Sequence, residues 1–390
     1  MNTKYQLVFI GTENTYKESI ADTFTKRIQE LGLTTNSIII LDEKNFQNDY
    51  KKNSPTVALY FGGNVSNFPN IDILDTLIQD ASFILPIGDD LDRILAQIPK
   101  NINSLNGFEL SNQTKIEPLV SRILEGFSLL RTERRLFISY RRVESRSIAV
   151  QLYEGLDQAG FDVFLDTHSI RPGDPVQEEL WHRLVDTDVV VLLDTIGFLE
   201  SQWTERELAK ASAMSIGILQ LIWPNSNSTK NSPLSIPFNL KKEDFESEDF
   251  ADKNSVLIDS TIQYITSQVE SLRARNLAAR RDNLITEFMK SAESLNMSPT
   301  LHSEKIITID RSDGKSVVII PTVGVPHAFT YHQKDDLVKT IKLNKVTESF
   351  LIYDHTNIKD EWLIHLSWLD KRLPIKTIKF TDREEWLKQL

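Results

Sequence analysis

The chain has 390 residues and no cysteine. That absence excludes disulfides, thiolate nucleophiles and every zinc site built on sulfur, and it fits the reducing, cytoplasmic setting expected for this protein. Long hydrophobic runs are also missing. No stretch approaches ~18 uninterrupted apolar residues, so no membrane partner is expected. The N-terminal "MNTKYQLVFIGTENTYKESI" has no basic run ahead of a long apolar core, and no signal peptide is read there. Positive charge is in deficit, with 44 Lys and Arg against 55 Asp and Glu and a net charge of −11. Such a molecule repels nucleic acid and anionic lipid, so nucleic acid is not an expected partner. The seven histidines (His168, His182, His302, His327, His332, His355 and His365) show neither HxxxH nor HExxH spacing, and no metal site is expected.

What is present is ordinary globular material, 40% apolar and 25% charged, in a chain long enough for two or three domains. Residues 1–128 alternate buried strands ("YQLVFIG", "SIIIL", "TVALYFGG", "SFILPIG") with amphipathic helices. In "ESIADTFTKRIQELG", Ile20, Phe24, Ile28 and Leu31 hold helical spacing and Gly32 supplies the stop. This pattern indicates an α/β domain around a parallel sheet. "EPLVSRILEGFSLLRTERR" (117–135) reads as a helix with a basic tail. A clearer β/α unit fills 129–223. Residues 224–254, rich in Pro, Asn, Ser and charge, read as loop or linker. Residues 255–295 read as one long helix, either a connector or a self-association surface, because Ile258, Ile262, Ile265, Val269 and Leu272 recur at intervals of three or four. Residues 296–390 form a third α/β unit that opens with a hairpin around "RSDG". The fold class is thus α/β, with three units of related open-sheet type.

Two glycine-bearing turns, "IGTENT" and "YFGGNVSN", follow strands of the first unit. Neither matches GxGxxG or GxxxxGK[ST], and glycine after a strand serves a tight turn before it serves a phosphate. More chemistry sits in "SQWTERELAKA" (201–211). Ser201 suits an N-cap, and Leu208 and Ala211 supply an apolar stripe. Trp203 and Glu207 are four apart and share a helical face, whereas Glu205 points elsewhere. By themselves these residues read first as the exposed start of an ordinary helix and only second as a carboxylate beside an aromatic surface.

The context of that helix resembles the Toll/interleukin-1 receptor (TIR) domain family. The resemblance covers about 134–223. It rests on "LFISYRR", the helix "AVQLYEGLDQAG", the strand "FDVFLD", the loop "THSIRPGD" with its Pro-Gly-Asp ending, the strand "VVVLLD", and "ESQWTEREL", which carries Ser-x-Trp-x-x-x-Glu-Leu. A central flavodoxin-like TIR domain flanked by two α/β units is implied, in an order similar to that of bacterial immune proteins. Many members of the family cleave the nicotinamide–ribose bond of NAD+. The resemblance then implies that Glu207 is catalytic, that Trp203, Arg141, Arg142, Tyr140, Asp166 and Asp194 contact substrate, and that NAD+ is a substrate with no separate cofactor. Tyr140 also reads as packing, and Arg141 and Arg142 also read as solvated or paired with Glu144. Two departures stand out: Asp194 replaces a serine common after the third strand, and Thr204 replaces a common cysteine. The family also implies a homo-oligomer or filament, a phage-derived or nucleotide trigger, and a role in antiphage defence. The rival reading is a non-catalytic adaptor acting through TIR–TIR contacts.

Overall fold

The computed structural model describes residues 5–390 except 53, 65, 81, 128, 166–181, 197–215, 227–234, 303, 312 and 342–345. It contains three five-stranded sheets in two compact units, residues 1–132 and 133–390.

The first unit is built on β1 (Tyr5–Gly11), β2 (Ile38–Leu41), β3 (Thr56–Phe61), β4 (Phe83–Gly88) and β5 (Phe108–Glu109). All pairings are parallel and the order is β2-β1-β3-β4-β5. Alternate residues along a strand face opposite sides of a sheet. Here Val8, Ile10, Ala58 and Tyr60 enter one core while Leu7, Phe9, Leu59 and Phe61 are buried on the other side. This double burial explains why the strands read as continuous apolar runs. The helix Lys17–Glu30 buries Ile20, Phe24 and Ile28, the stripe expected from sequence. It is tied to the helix Ile116–Gly126 by Arg27, which donates to Glu117 at 2.6 and 3.1 Å.

That second helix is shorter than the 117–135 run anticipated. It ends at Gly126, and Leu129, Leu130 and Arg134 are each buried in the irregular stretch that follows. Burial of these side chains, rather than helical propensity, sets the path of residues 129–134.

In the second unit, β6 (Arg135–Ser139), β7 (Asp162–Leu165), β8 (Val189–Asp194), β9 (Gly217–Ile222) and β10 (Ser235–Asn239) form an all-parallel sheet in the order β10-β9-β8-β6-β7. This is the flavodoxin-like 2-1-3-4-5 order, counted from β6. Residues 235–239 correct the loop-or-linker reading of 224–254. They pair with β9 as an edge strand, and an edge is where a strand tolerates Pro237.

The helix Asp259–Ser294 runs 36 residues, about 54 Å at 1.5 Å per residue. Ile265, Val269 and Leu272 pack into the core of the second sheet. Ile285, Phe288 and Ala292 pack into the core of the third. Its apolar stripe is therefore consumed inside the chain, which corrects the self-association reading and supports the connector. Buried charges fasten it further. Arg273 Nε donates to Asp188 Oδ2 at 2.9 Å with both side chains fully buried, and Arg134 pairs with the buried Glu270.

The third sheet follows the order β11-β12-β13-β14-β15, comprising β11 (Thr300–Leu301), β12 (Ile307–Asp310), β13 (Ser316–Pro321), β14 (Val346–Tyr353) and β15 (Ile375–Lys379). β12 and β13 are the antiparallel hairpin read around "RSDG", while β13, β14 and β15 are parallel. The helices Ala328–Ile341 and Asp360–Asp370 provide the crossovers. Val185, from the second sheet's side, is buried in this core with Val325 and Tyr331.

Candidate active site

Open parallel sheets take ligands where their strands end. In the second sheet that edge carries Ser139, the last residue of β6, with Tyr140 after it, and Asp194, the last residue of β8, with Thr195 after it.

Tyr140 is 4% exposed and sits in the apolar core with Leu136, Ile138 and Ile148, so its ring packs and does not offer a free face. Arg141 has extended backbone (φ −94°, ψ 115°) and caps the helix Arg142–Gln158. Its carbonyl accepts the N–H groups of Glu144 and Ser145, both at 3.1 Å. Its Nη1 donates to Glu144 Oε1 at 2.7 Å, the pairing anticipated as the bland alternative. Such a half-exposed pair is worth about 0–1 kcal/mol. Arg142 opens the same helix, and its side chain lies outside the described residues. Ser145 is non-helical (φ −136°) and breaks the helix after its first turn, which orients the Arg141 segment separately from the rest.

Asp194 is 7% exposed. Burial raises its pKa from the ordinary aspartate value, and a hydrogen bond from Gln220 opposes the rise. Gln220 Nε2 donates to Asp194 Oδ2 at 2.8 Å. The carboxyl group thus meets an amide from the neighbouring strand. Gln220 was not singled out from sequence, because a glutamine inside an apolar strand announces a buried partner without naming it. The hydroxyls of Ser139 and Thr195 are also buried at this edge and have no hydrogen-bond partner among the described residues. Glu207, Trp203 and Asp166, with the control residue Glu205, lie outside the described residues.

The first unit's corresponding edge behaves differently. The Gly11 N–H donates to Asn70 Oδ1 at 3.0 Å, and the Thr12, Gly62 and Gly63 N–H groups donate to the carbonyls of Phe61, Ile87 and Gln97 at 2.7–2.9 Å. A phosphate cradle needs outward-facing N–H groups. These four are spent inside the protein, so the turns serve packing.

A parallel five-stranded sheet in the flavodoxin-like order with polar groups at its C-terminal edge is the framework of a TIR domain. Residues 136–256 match the TIR domain family, and that span of the chain is a TIR domain. The match extends through β10, in keeping with its place in the sheet. The chain is 37% identical over 75 residues to a protein of Brachypodium distachyon named probable 2' cyclic ADP-D-ribose synthase BdTIR. That stretch is 19% of this chain and 34% of the relative, so the chain spans about a third of the length of this curated relative. Among solved structures, a metazoan TIR-STING receptor from C. gigas aligns over 63% of this chain and 88% of its own, at 10% identity and a TM-score of 0.22. Tagatose-6-phosphate ketose/aldose isomerase from Escherichia coli aligns over 72% and 81%, at 13% identity and the same TM-score of 0.22. At such scores neither alignment carries an argument about fold or function. Among the described residues, no helix is long and apolar enough to cross a membrane.

Proposed function

We propose that this chain is an NAD+ glycohydrolase, an NAD+ nucleosidase that breaks the nicotinamide–ribose bond and releases a linear or cyclic ADP-ribose product. The observation that carries the reading is the TIR domain at 136–256 together with its 37% identity to a protein named as a cyclic ADP-D-ribose synthase.

The chemistry suits the residues assigned. Nicotinamide is cationic in NAD+ and leaves neutral, so no strong general acid is needed. The ribose becomes oxocarbenium-like, and one carboxylate, Glu207, stabilises that charge and holds the ribose hydroxyls. Trp203 offers a flat face to the nicotinamide ring or to the adenine. Arg141 and Arg142 engage the pyrophosphate, with Arg141 exchanging Glu144 for it. Asp166 and Asp194 border the ribose, and Tyr140 packs behind it. The raised pKa of Asp194 supports its presence there, since a carboxyl that resists ionisation repels the pyrophosphate less. The protein acts as a cytoplasmic effector in bacterial antiphage defence, self-associates through TIR contacts, and answers to a phage-derived or nucleotide trigger through its flanking units.

Nicotinamide release from concentrated protein tests this. Glu207→Ala lowers the rate by on the order of 10²–10³-fold, and Glu205→Ala leaves it within about twofold. Equal rates in wild type and both variants sink the assignment. A wild type inactive under crowding and with phage lysate favours the adaptor.

A further inference from the structure

Near the C-terminal edge of the TIR sheet, the buried polar residues Ser139, Gln220 and Asp194 fall on one face. Leu192 of β8 pairs with Ser139 of β6 on one side and with Gln220 of β9 on the other, and Asp194 lies two residues further along β8. Registered partners, and residues two apart on a strand, point to the same side of a sheet. The opposite face is apolar at this level. Ile138, Leu193, Leu219 and Leu221 belong there to one core with Ile265, Val269 and Leu272 of the long helix.

This polar group is not closed. Gln220 Nε2 donates to Asp194 Oδ2 at 2.8 Å, and Oδ1 accepts no hydrogen bond among the described residues. Ser139 Oγ, on a fully buried residue, has no partner either. Asp370, packed against the third sheet, shows what a structural carboxylate looks like. Its Oδ1 accepts the Tyr331 hydroxyl and the Thr377 N–H, both at 2.9 Å, and its Oδ2 accepts the Thr377 hydroxyl at 2.7 Å. Buried polar groups that serve packing are satisfied in this way, and a half-satisfied one weakens the fold. Asp194 keeps one oxygen open at the edge where parallel sheets receive ligands.

The strands around the carboxyl bring few other charges. β9 contains no titratable residue, β8 none besides Asp194, and β6 only Arg135 at its far end. Arg141, beyond β6, is engaged with Glu144. Burial raises the Asp194 pKa, and the Gln220 hydrogen bond draws it back by favouring the ionised form. The amide therefore has two effects. It fixes the direction of the carboxyl group, and it keeps that group an acceptor. A carboxylate near a strand end is the acceptor that a ribose hydroxyl takes in open α/β folds.

We propose that Gln220 is a positioning residue of the TIR site, whose amide holds Asp194 Oδ2 so that Oδ1 accepts a hydroxyl of the nicotinamide-bearing ribose. This rests on the reading of the chain as an NAD+ glycohydrolase and adds to it a residue that does not touch the substrate. Gln220 acts from the neighbouring strand, through Asp194.

Calorimetric titration of the full chain with NAD+ tests this, in a Glu207→Ala background so that binding is read without turnover. There Gln220→Leu and Asp194→Ala each weaken binding about tenfold, and the double variant does no worse than either, because both remove one contact. An NAD+ analogue lacking the hydroxyls of that ribose binds about tenfold weaker and is indifferent to Gln220→Leu. In the chain that keeps Glu207, Gln220→Leu moves the acid limb of nicotinamide release to higher pH, since the carboxylate loses its donor. Gln151→Leu is the comparison. Gln151 exchanges hydrogen bonds with the backbone of Leu257 at 2.7 and 2.8 Å, so its loss lowers the urea midpoint and leaves Kd and the pH profile in place. Should Gln220→Leu fail to fold, Gln220→Asn, too short to reach Asp194, carries the same expectations. The proposal is overturned if the two losses add, if Gln220→Leu leaves both Kd and the pH profile unchanged, or if NAD+ does not bind. Weakened binding in a chain that never releases nicotinamide supports this contact and sinks the glycohydrolase. Normal release with Gln220→Leu inert sinks this contact alone.

Discussion

In the first sheet the order is β2-β1-β3-β4-β5, and in the second it is β7-β6-β8-β9-β10. Each is the doubly wound 2-1-3-4-5 arrangement, with apolar residues on both faces. The two part company at their C-terminal edges. In the first, Gly11, Thr12, Gly62, Gly63 and Asn70 close the edge with internal hydrogen bonds. In the second, a buried carboxyl with a raised pKa and an arginine paired with Glu144 occupy it. The same topology thus closes its edge with hydrogen bonds to backbone and Asn70 in one unit and buries an acidic side chain paired with an amide in the other. Fold alone would not have distinguished them.

Four perturbations press on this contrast, the largest first. Asp188→Ala strands the fully buried Arg273, and we expect a loss of about 3–5 kcal/mol in the second unit. Glu117→Ala in the first unit should cost less, about 1–3 kcal/mol, because Glu117 is 24% exposed and Arg27 keeps Glu30. Urea unfolding followed separately for each unit reads both, and equal losses would remove the distinction.

Next come two glycines. Gly11 has φ +100°, and an added Cβ would lie 2.2 Å from the Phe61 carbonyl oxygen, a backbone atom. Gly11→Ala should cost about 2–3 kcal/mol. Gly217 in β9 meets the Asn276 side-chain amide at 1.5 Å. A side chain can move aside, so Gly217→Ala should cost less, about 1–2 kcal/mol, as read from the midpoint shift.

The third concerns pH. The folded pKa of Asp194 is raised above its ordinary value of 3.8, so the folded state holds that proton more tightly than the unfolded chain. Its contribution to stability is fully present below pH 3.8 and is lost as pH rises through the folded value. Asp194→Asn should therefore make the second unit relatively more stable at pH 7 than at pH 3.5. An identical pH dependence in variant and wild type would show that Asp194 titrates normally.

The smallest effect on stability should come from Arg141→Ala, below about 1 kcal/mol, because its ion pair with Glu144 is half-exposed. If Arg141 holds the pyrophosphate, KM for NAD+ nonetheless rises about tenfold. A change in stability without a change in KM would place Arg141 with the structural residues.

The longer interior strands were legible because strands buried on both faces must be apolar along their whole length, as in "VVVLLD", whereas the edge strands β5, β10 and β11 were not read. The helix Lys17–Glu30 was legible from its 3–4 spacing. Tyr140 as packing and Arg141 as a partner of Glu144 were both visible as local alternatives. The long helix was legible as a helix, but its partners were not, because one apolar stripe looks the same whether it meets another chain or two cores of its own. β10 was hidden because an edge strand needs only one hydrogen-bonded neighbour and tolerates Pro237.

By itself, then, the sequence determined the α/β rhythm, the TIR resemblance and the residues that carry its motif, since these depend on local periodicity and on ordered residue types, but the unit read as 129–223 stops short of the family match, which runs to 256. Only the tertiary structure decided that Gln220 meets Asp194, that Arg273 meets Asp188, and that His182, Arg183, His327 and Trp362 line one cavity. Those groups are separated by 26, 85 and up to 180 positions in the chain. The first contact follows from the pairing of β8 with β9, and the others from the packing of two sheets on a shared helix, long-range outcomes that no local pattern encodes.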